Sequence, residues 1–266
     1  MEEAEEKETI DMNEYECLVN DFKEAVENEM LQYTRSLMLY GSYFRERSGK
    51  EGSGWIIPGQ SDVDLVWVVD VSDKNPSKPI NRLKKLSELI ERFKFEPLYA
   101  SIFDLVVLEY QDLPPMPGLS FDPLHLVSAA QGELLLGRNV LASFDFSESV
   151  LHETARASVY EAYDIFRFSF LHYHPGIFET AYIGVSTVLN IAHTLLALET
   201  DCRFVRIEVP EQFAEHFKTK MPESSTETVL QAHKFRLGVQ NISHEEFIDR
   251  ALEFGRNAIK YLRSPI

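Results

Sequence analysis

The stretch "YGSYFRERSGKEGSGWIIPGQSDVDLVWVVD", from Tyr40 to Asp70, decides the fold prediction. It places a Gly-Ser pair after one apolar segment and two aspartates, Asp62 and Asp64, at the start of another. Residues 65–69 are apolar and rich in valine, which is typical of a buried strand. Positions i and i+2 of a strand share a face, so both carboxylates are expected to point the same way.

A third carboxylate, Asp104, interrupts the apolar segment "ASIFDLVVLEY" at 100–110, which predicts another buried strand. An isolated buried carboxylate is costly, so a bound cation or a proton must compensate for it. If the two strands are neighbours, Asp62, Asp64 and Asp104 converge. Three carboxylates that meet at one point suit Mg²⁺, which prefers such ligands together with substrate phosphates and water.

The Gly-Ser pair supplies the second half of the predicted site. Gly41 lets the backbone turn and approach a ligand closely, and Ser42 with nearby backbone N–H groups offers donors to phosphate oxygens. Either aspartate alone would more often be a turn cap or a strand-edge charge. The combination of the pair with three acids, each at an apolar strand, favours phosphoryl or nucleotidyl transfer.

The composition limits the partners. The formal net charge of −17 argues against duplex nucleic acid and favours cationic small molecules or divalent metals. Two cysteines, Cys17 and Cys202, are too few for a disulfide framework, so a reducing cytoplasm is expected. No apolar stretch of membrane-spanning length and no secretory signal are recognised. The acidic residues 1–10 are expected to form a disordered leader.

The pattern along the chain predicts two domains. Residues 1–148 alternate helical periodicity with short apolar strands, and a loop is expected over 43–60. Residues 149–266 carry apolar residues almost only at helical spacing, although "CRFVRIEV" at 202–209 could be a loop or a short strand. The fold class is therefore α+β, a small mixed sheet flanked by helices, followed by an all-α bundle.

At these residues the sequence resembles the nucleotidyltransferase superfamily typified by DNA polymerase β. The matching features are Gly41-Ser42, Asp62-Val63-Asp64 and Asp104. "SDVDLVWVV" and "GELLLGRNV", the latter at 132–140, resemble the minimal and aminoglycoside nucleotidyltransferases, and "HKFRLG" at 233–238 resembles a stretch of streptomycin/spectinomycin adenylyltransferases. The resemblance covers about residues 30–145 well and the rest only weakly.

The resemblance implies transfer of a nucleoside monophosphate, AMP foremost, from ATP or another NTP to an acceptor hydroxyl. Asp62, Asp64 and Asp104 would hold two Mg²⁺ ions, with Asp104 also placed to act as general base. Nucleotide contacts would come from the residues Gly41, Ser42, Ser61, Arg45 and Arg236. Residues 43–61 form a longer connection than in most relatives, so Arg45 lies either in a flap over the triphosphate or in a simple insertion.

The acceptor stays open at this stage. A cationic aminoglycoside suits an acidic chain with Glu161, Asp164 and Glu179 in the helical domain, but superfamily members also modify proteins such as a partner toxin. The spacing Arg167-x4-His172 resembles HEPN ribonucleases, although Phe168 stands where a polar residue is usual. A catalytically silent nucleotide sensor is a further alternative. Homodimerisation is left open.

Overall fold

A computed structural model of the 266-residue chain describes residues 12–48, 61–70, 79–115, 121, 123–172, 176–200, 209–239 and 241–263. These residues divide into two compact units. The sheet unit comprises the described residues up to Pro115 together with His125–Asp145. The helical unit comprises a short segment that ends at Leu124 and the described residues from Phe146 onward. The expected disordered leader, residues 1–10, lies outside the described residues.

The sheet unit contains a four-stranded mixed sheet in the order β3-β2-β1-β4. β1 is antiparallel to both of its neighbours, whereas β2 and β3 run parallel. A parallel pair requires a crossover connection, and a helix between β2 and β3 provides it. The strands are β1 (Thr34–Tyr40), β2 (Val63–Val69), β3 (Phe103–Glu109) and β4 (Glu133–Gly137).

Four helices accompany the sheet along the chain, in keeping with the predicted periodicity. They are α1 (Met12–Met30), α2 (Gly41–Arg47), α3 (Pro79–Lys94) and α4 (Pro123–Ala129). α1 buries an apolar face at helical spacing, and α3, the crossover helix, joins it over one face of the sheet. A loop was expected at 43–60, but α2 continues to Arg47. The prediction is therefore wrong for residues 43–47.

Aromatic rings fix α1 and α3 against the sheet. The ring of Phe22 on α1 lies 5.8 Å from that of Trp67 on β2 and 5.0 Å from that of Phe93 on α3, both in edge-to-face geometry. All three side chains are buried. Such pairs stabilise packing beyond the area that they bury, so β2 and its neighbours form a rigid base for the strand ends.

The described part of the helical unit contains five long helices. They are α5 (Glu148–His172), α6 (Ile177–Thr200), α7 (Val209–Phe217), α8 (Glu223–Arg236) and α9 (His244–Arg263). Their shared core is apolar and includes stacked rings such as Phe213 and Phe217, 4.4 Å apart. A loop or a short strand was left open for 202–209; residues 202–208 lie outside the described residues, and Val209 begins α7.

The architecture confirms the predicted fold class: a small mixed sheet with helices is followed by a region whose described elements are all helices. One stretch of α6, Thr180–Thr200, is long and apolar enough to cross a membrane when the described residues are searched. More than half of its most apolar window is buried inside the protein, which is also how the core helix of a globular unit behaves.

Candidate active site

The three predicted carboxylates meet at one end of the sheet. Asp62 directly precedes β2, Asp64 is the second residue of β2, and Asp104 is the second residue of β3. Because β2 and β3 are parallel and in register, Asp64 lies directly beside Asp104. One carboxylate oxygen from each of the three aspartates lies within 4.8 Å of the other two. The predicted convergence required the strands of Asp64 and Asp104 to be neighbours, and β2 and β3 are paired.

The burial of this triad differs from expectation in one respect. Asp62 and Asp64 are half-buried, but Asp104 is exposed, so its predicted burial is wrong. The reason is topological: among the described strands, β3 lies at the edge of the sheet. Solvent therefore reaches Asp104, so its charged form does not carry the desolvation cost of a buried carboxylate.

The triad fits a hard divalent cation. Carboxylates this close repel one another, and a cation between them would relieve that repulsion. The donor atoms are all carboxylate oxygens, with neither sulfur nor imidazole in the group. Such a donor set favours Mg²⁺ or Mn²⁺ over zinc or copper. The partly exposed arrangement also leaves room for water and phosphate oxygens as further ligands.

Gly41 lies against the triad in a backbone conformation that favours glycine. Its φ is +75°, in the left-handed region. A Cβ atom on Gly41 would stand 1.9 Å from Oδ2 of Asp64, which is far inside contact distance. β1 and β2 pair Tyr40 with Asp64, so the chain turns from β1 into α2 directly at this carboxylate. Ser42, half-buried, lies in the first turn of α2.

The start of the expected loop is helical because its side chains have partners in the sheet unit. Tyr43 is 2% exposed and its ring stacks on that of Tyr15 at 5.3 Å. Arg47 forms ion pairs with Glu16, at 3.1 Å, and with Glu133, at 3.2 Å. The side chain of Arg45 lies outside the described structure, as do residues 49–60, so its assignment to the nucleotide stays a prediction.

Sequence reasoning missed a contact behind the triad. Ser61 is almost fully buried, and its backbone carbonyl accepts a hydrogen bond of 2.8 Å from the hydroxyl of Tyr15. By its spacing, Tyr15 is expected to be only one apolar position of a helix. A signal existed, since a tyrosine on the buried face of a helix needs a partner for its hydroxyl.

Two predicted groups lie in the helical unit. Arg236 occupies the last turn of α8 and is half-buried, and its assignment to the nucleotide stays a prediction. Arg167 on α5 donates to Asp164 at 2.6 Å, and both side chains are exposed. The side chain of His172 lies outside the described structure. A ribonuclease role for Arg167 and His172 therefore stays a prediction.

The chain thus combines a mixed four-stranded sheet, three carboxylates that converge at the strand ends, and a helical region after them. No protein-family model matches the chain, and no curated protein matches it. Among solved structures, the chain is similar to spectinomycin adenyltransferase AAD(9) from Enterococcus faecialis, which was crystallised with ATP and spectinomycin. The two share 16% sequence identity with a TM-score of 0.59, and the match covers 91% of this chain and 98% of that one. At this identity the likeness concerns the fold alone.

Proposed function

We propose that the chain is a metal-dependent nucleotidyltransferase that moves AMP, or another nucleoside monophosphate, from an NTP to an acceptor hydroxyl and releases pyrophosphate. The single observation that carries this proposal is the convergence of Asp62, Asp64 and Asp104 within 4.8 Å beside Gly41. The shared fold with an adenyltransferase that was solved with ATP supports it. The division of labour, catalysis over residues 1–148 and substrate binding over 149–266, belongs to the same proposal.

Each residue of the proposed site in the sheet unit has its own role in the transfer. Asp62, Asp64 and Asp104 would hold two Mg²⁺ ions, which neutralise triphosphate charge and activate the attacking oxygen when bound. Asp104, the exposed member, accepts the proton of the acceptor hydroxyl at a carboxylate oxygen. Gly41 leaves space for the Asp64 carboxylate, and the Ser42 hydroxyl donates to a phosphate oxygen. Catalysis then consists mainly of positioning and electrostatic stabilisation.

We propose a cationic small molecule as the acceptor. The chain carries a formal charge of −17, and Glu161 and Asp164 are exposed on α5. The related structure contains spectinomycin. A protein acceptor is the other outcome that an acceptor screen would reveal. The cytoplasm, where ATP and Mg²⁺ are abundant, is the proposed location.

The decisive experiment follows label from ATP labelled at the α-phosphate. Wild-type protein with Mg²⁺ is tested against a panel of aminoglycosides and against whole-cell protein extracts. Asp64→Asn should lower the transfer rate more than about a hundredfold, because a preorganised charge at the reacting phosphate is lost. Asp112→Asn is the matched control, since Asp112 is exposed in the turn after β3.

Two results would contradict the proposal. The first is transfer by Asp64→Asn at the wild-type rate in protein that is folded by circular dichroism. The second is a wild-type protein that neither binds Mn²⁺ nor transfers label to any member of the panel.

A further inference from the structure

α1 contacts the segment that carries the first aspartate of the triad. Tyr15 is fully buried, and its hydroxyl donates to the backbone carbonyl of Ser61 at 2.8 Å. Ser61 directly precedes Asp62 and lies 46 residues from Tyr15 along the chain. Another buried phenol, that of Tyr99, donates instead to a side chain of α1, the carboxylate of Asp21, at 2.6 Å.

The peptide groups on both sides of Asp62 are held by different elements. On one side, α1 holds the Ser61 carbonyl through Tyr15. On the other side, the N–H of Val63 donates to the carbonyl of Ile102, next to β3, at 2.6 Å. Asp62 precedes the ladder of β2 and lies between these two fixed groups. The direction of its side chain therefore depends on both anchors.

The same helix also holds the segment after the Gly-Ser pair. The ring of Tyr15 stacks on that of Tyr43 in α2 at a centroid distance of 5.3 Å. The hydroxyl of Tyr43 donates to Glu16 at 2.6 Å, and Glu16 in turn pairs with Arg47. Adjacent residues of α1 thus contact both segments that flank the triad.

We propose that Tyr15 is a positioning residue: its hydroxyl fixes the Ser61 carbonyl and presets the orientation of Asp62 for the metal before the nucleotide arrives. This inference rests on the proposed function, because it assumes that the triad binds metal. Loss of an outer contact that orients a metal ligand typically costs about 10- to 100-fold in metal affinity or activity.

The hydroxyl is available as a donor over the useful pH range. Burial raises the pKa of the Tyr15 phenol, and the negative charges of Asp62 and Glu14 raise it further. The phenol therefore keeps its proton at neutral and mildly alkaline pH, where a nucleotidyl transfer would run.

The test measures Mn²⁺ binding to nucleotide-free protein by electron paramagnetic resonance. Tyr15→Phe removes the hydroxyl and keeps the stacked ring, and it should weaken Mn²⁺ affinity about tenfold. Tyr99→Phe removes another buried hydroxyl that bonds to α1, but the partner of that hydroxyl is the carboxylate of Asp21 and not the Ser61 carbonyl. It should lower the melting temperature as much as Tyr15→Phe does but leave Mn²⁺ affinity unchanged.

Two further readouts separate positioning from a loss of stability. In Tyr15→Phe, the Mg²⁺ concentration for half-maximal transfer should rise by the same factor as the Mn²⁺ affinity falls, with the acceptor KM unchanged. In wild-type protein, backbone amides over residues 61–64 should exchange slowly without metal, and saturating Mn²⁺ should add little protection. This last measurement needs no variant.

The outcomes distinguish the inference from the proposed function. If wild-type protein binds no Mn²⁺, or Asp64→Asn binds it equally well, the proposed function fails and the inference fails with it. If wild-type binds Mn²⁺, Asp64→Asn does not, and Tyr15→Phe matches wild-type, the inference alone is overturned. A large gain in amide protection over 61–64 on adding Mn²⁺ would likewise overturn it.

Discussion

The two units of the molecule differ in what their long-range polar contacts surround. In the sheet unit, polar contacts join distant parts of the chain around the triad, such as Tyr15 with Ser61 and Arg47 with Glu133. In the helical unit, long-range contacts such as Glu199 with Tyr261 join helices around an apolar core, and local ion pairs such as Arg250 with Glu246 join neighbouring turns of one helix. Conservative changes near the triad should therefore alter chemistry, whereas those in the helical core should alter stability.

The largest effect is expected at Gly41. Gly41→Ala places a Cβ 1.9 Å from the Asp64 carboxylate and must displace it, and a misplacement of about 1 Å at a reacting centre costs roughly a hundredfold in rate. We expect transfer to fall by about that factor and Mn²⁺ binding to weaken. Steady-state kinetics with ATP and isothermal titration with Mn²⁺ measure the two effects.

Gly238→Ala is the matched control for this change. Gly238 has nearly the same φ, +76°, but a Cβ there has nothing within 4 Å. Both variants share the cost of a left-handed alanine, about 1–2 kcal/mol. Only Gly41→Ala should lose activity, and equal activity in the two variants would contradict the steric role of Gly41.

A medium effect, on stability alone, is expected at Gly255 in α9. A Cβ there would lie 2.2 Å from Cδ2 of Tyr163 on α5. Overpacking of this kind costs about 1–3 kcal/mol, of which the better helix propensity of alanine recovers up to about 1 kcal/mol. Gly255→Ala should lower the free energy of unfolding in urea by about 1–2 kcal/mol and leave Mn²⁺ affinity unchanged.

Gly184→Ala provides the comparison within the same core. Its added Cβ would lie 3.1 Å from the tip of the Phe166 ring, a contact that small movements relieve. We expect little net change in stability for this variant. If Gly184→Ala proves more damaging than Gly255→Ala, the packing of α5 against α9 is not as described.

The smallest effect concerns the pH dependence of Glu199. Burial alone would raise its pKa, but hydrogen bonds from Lys220, at 2.8 Å, and Tyr261, at 2.7 Å, hold the pKa of Glu199 below its ordinary 4.5. A carboxylate with a lowered folded-state pKa stabilises the fold above its unfolded pKa, and that stabilisation is lost as the pH falls below about 4.5.

The stability difference between wild-type and Glu199→Gln should therefore be about 1 kcal/mol or less at pH 6 and should vanish toward pH 3. Urea unfolding across this pH range measures it. Glu227→Gln is the control, because Glu227 is exposed and its ion pair with Arg250 is long, at 4.0 Å. A pH-independent difference for Glu199→Gln would contradict the assignment.

Much of the sheet and the residues of the triad could be predicted from local sequence patterns. Short apolar β-branched segments predict β2 and β3, because such residues suit a pleated surface. Asp62, Asp64 and Asp104 stand out because acids at apolar strands conflict with burial. The helical unit follows from apolar residues repeated at 3.6-residue spacing. These signals are local, so short stretches of chain contain them.

Other features could not be predicted from local sequence patterns. The exposure of Asp104 depends on β3 being the edge strand, which its own sequence does not state. α2 was expected to be a loop because its stability comes from partners far along the chain, Tyr15, Glu16 and Glu133. Burial of Tyr43 against α1 outweighs the weak helical tendency of seven residues.

Residue types and their spacing alone thus determine where the strands and helices lie and which acids are candidates, because backbone geometry imposes periods of 2 and 3.6 on any chain. Long-range packing determines that Asp64 lies beside Asp104 on the neighbouring strand, that Gly41 contacts the carboxylate of Asp64, and that the Tyr15 hydroxyl bonds to the Ser61 carbonyl. These contacts join segments tens of residues apart. Their partners are selected only when the whole sheet unit packs.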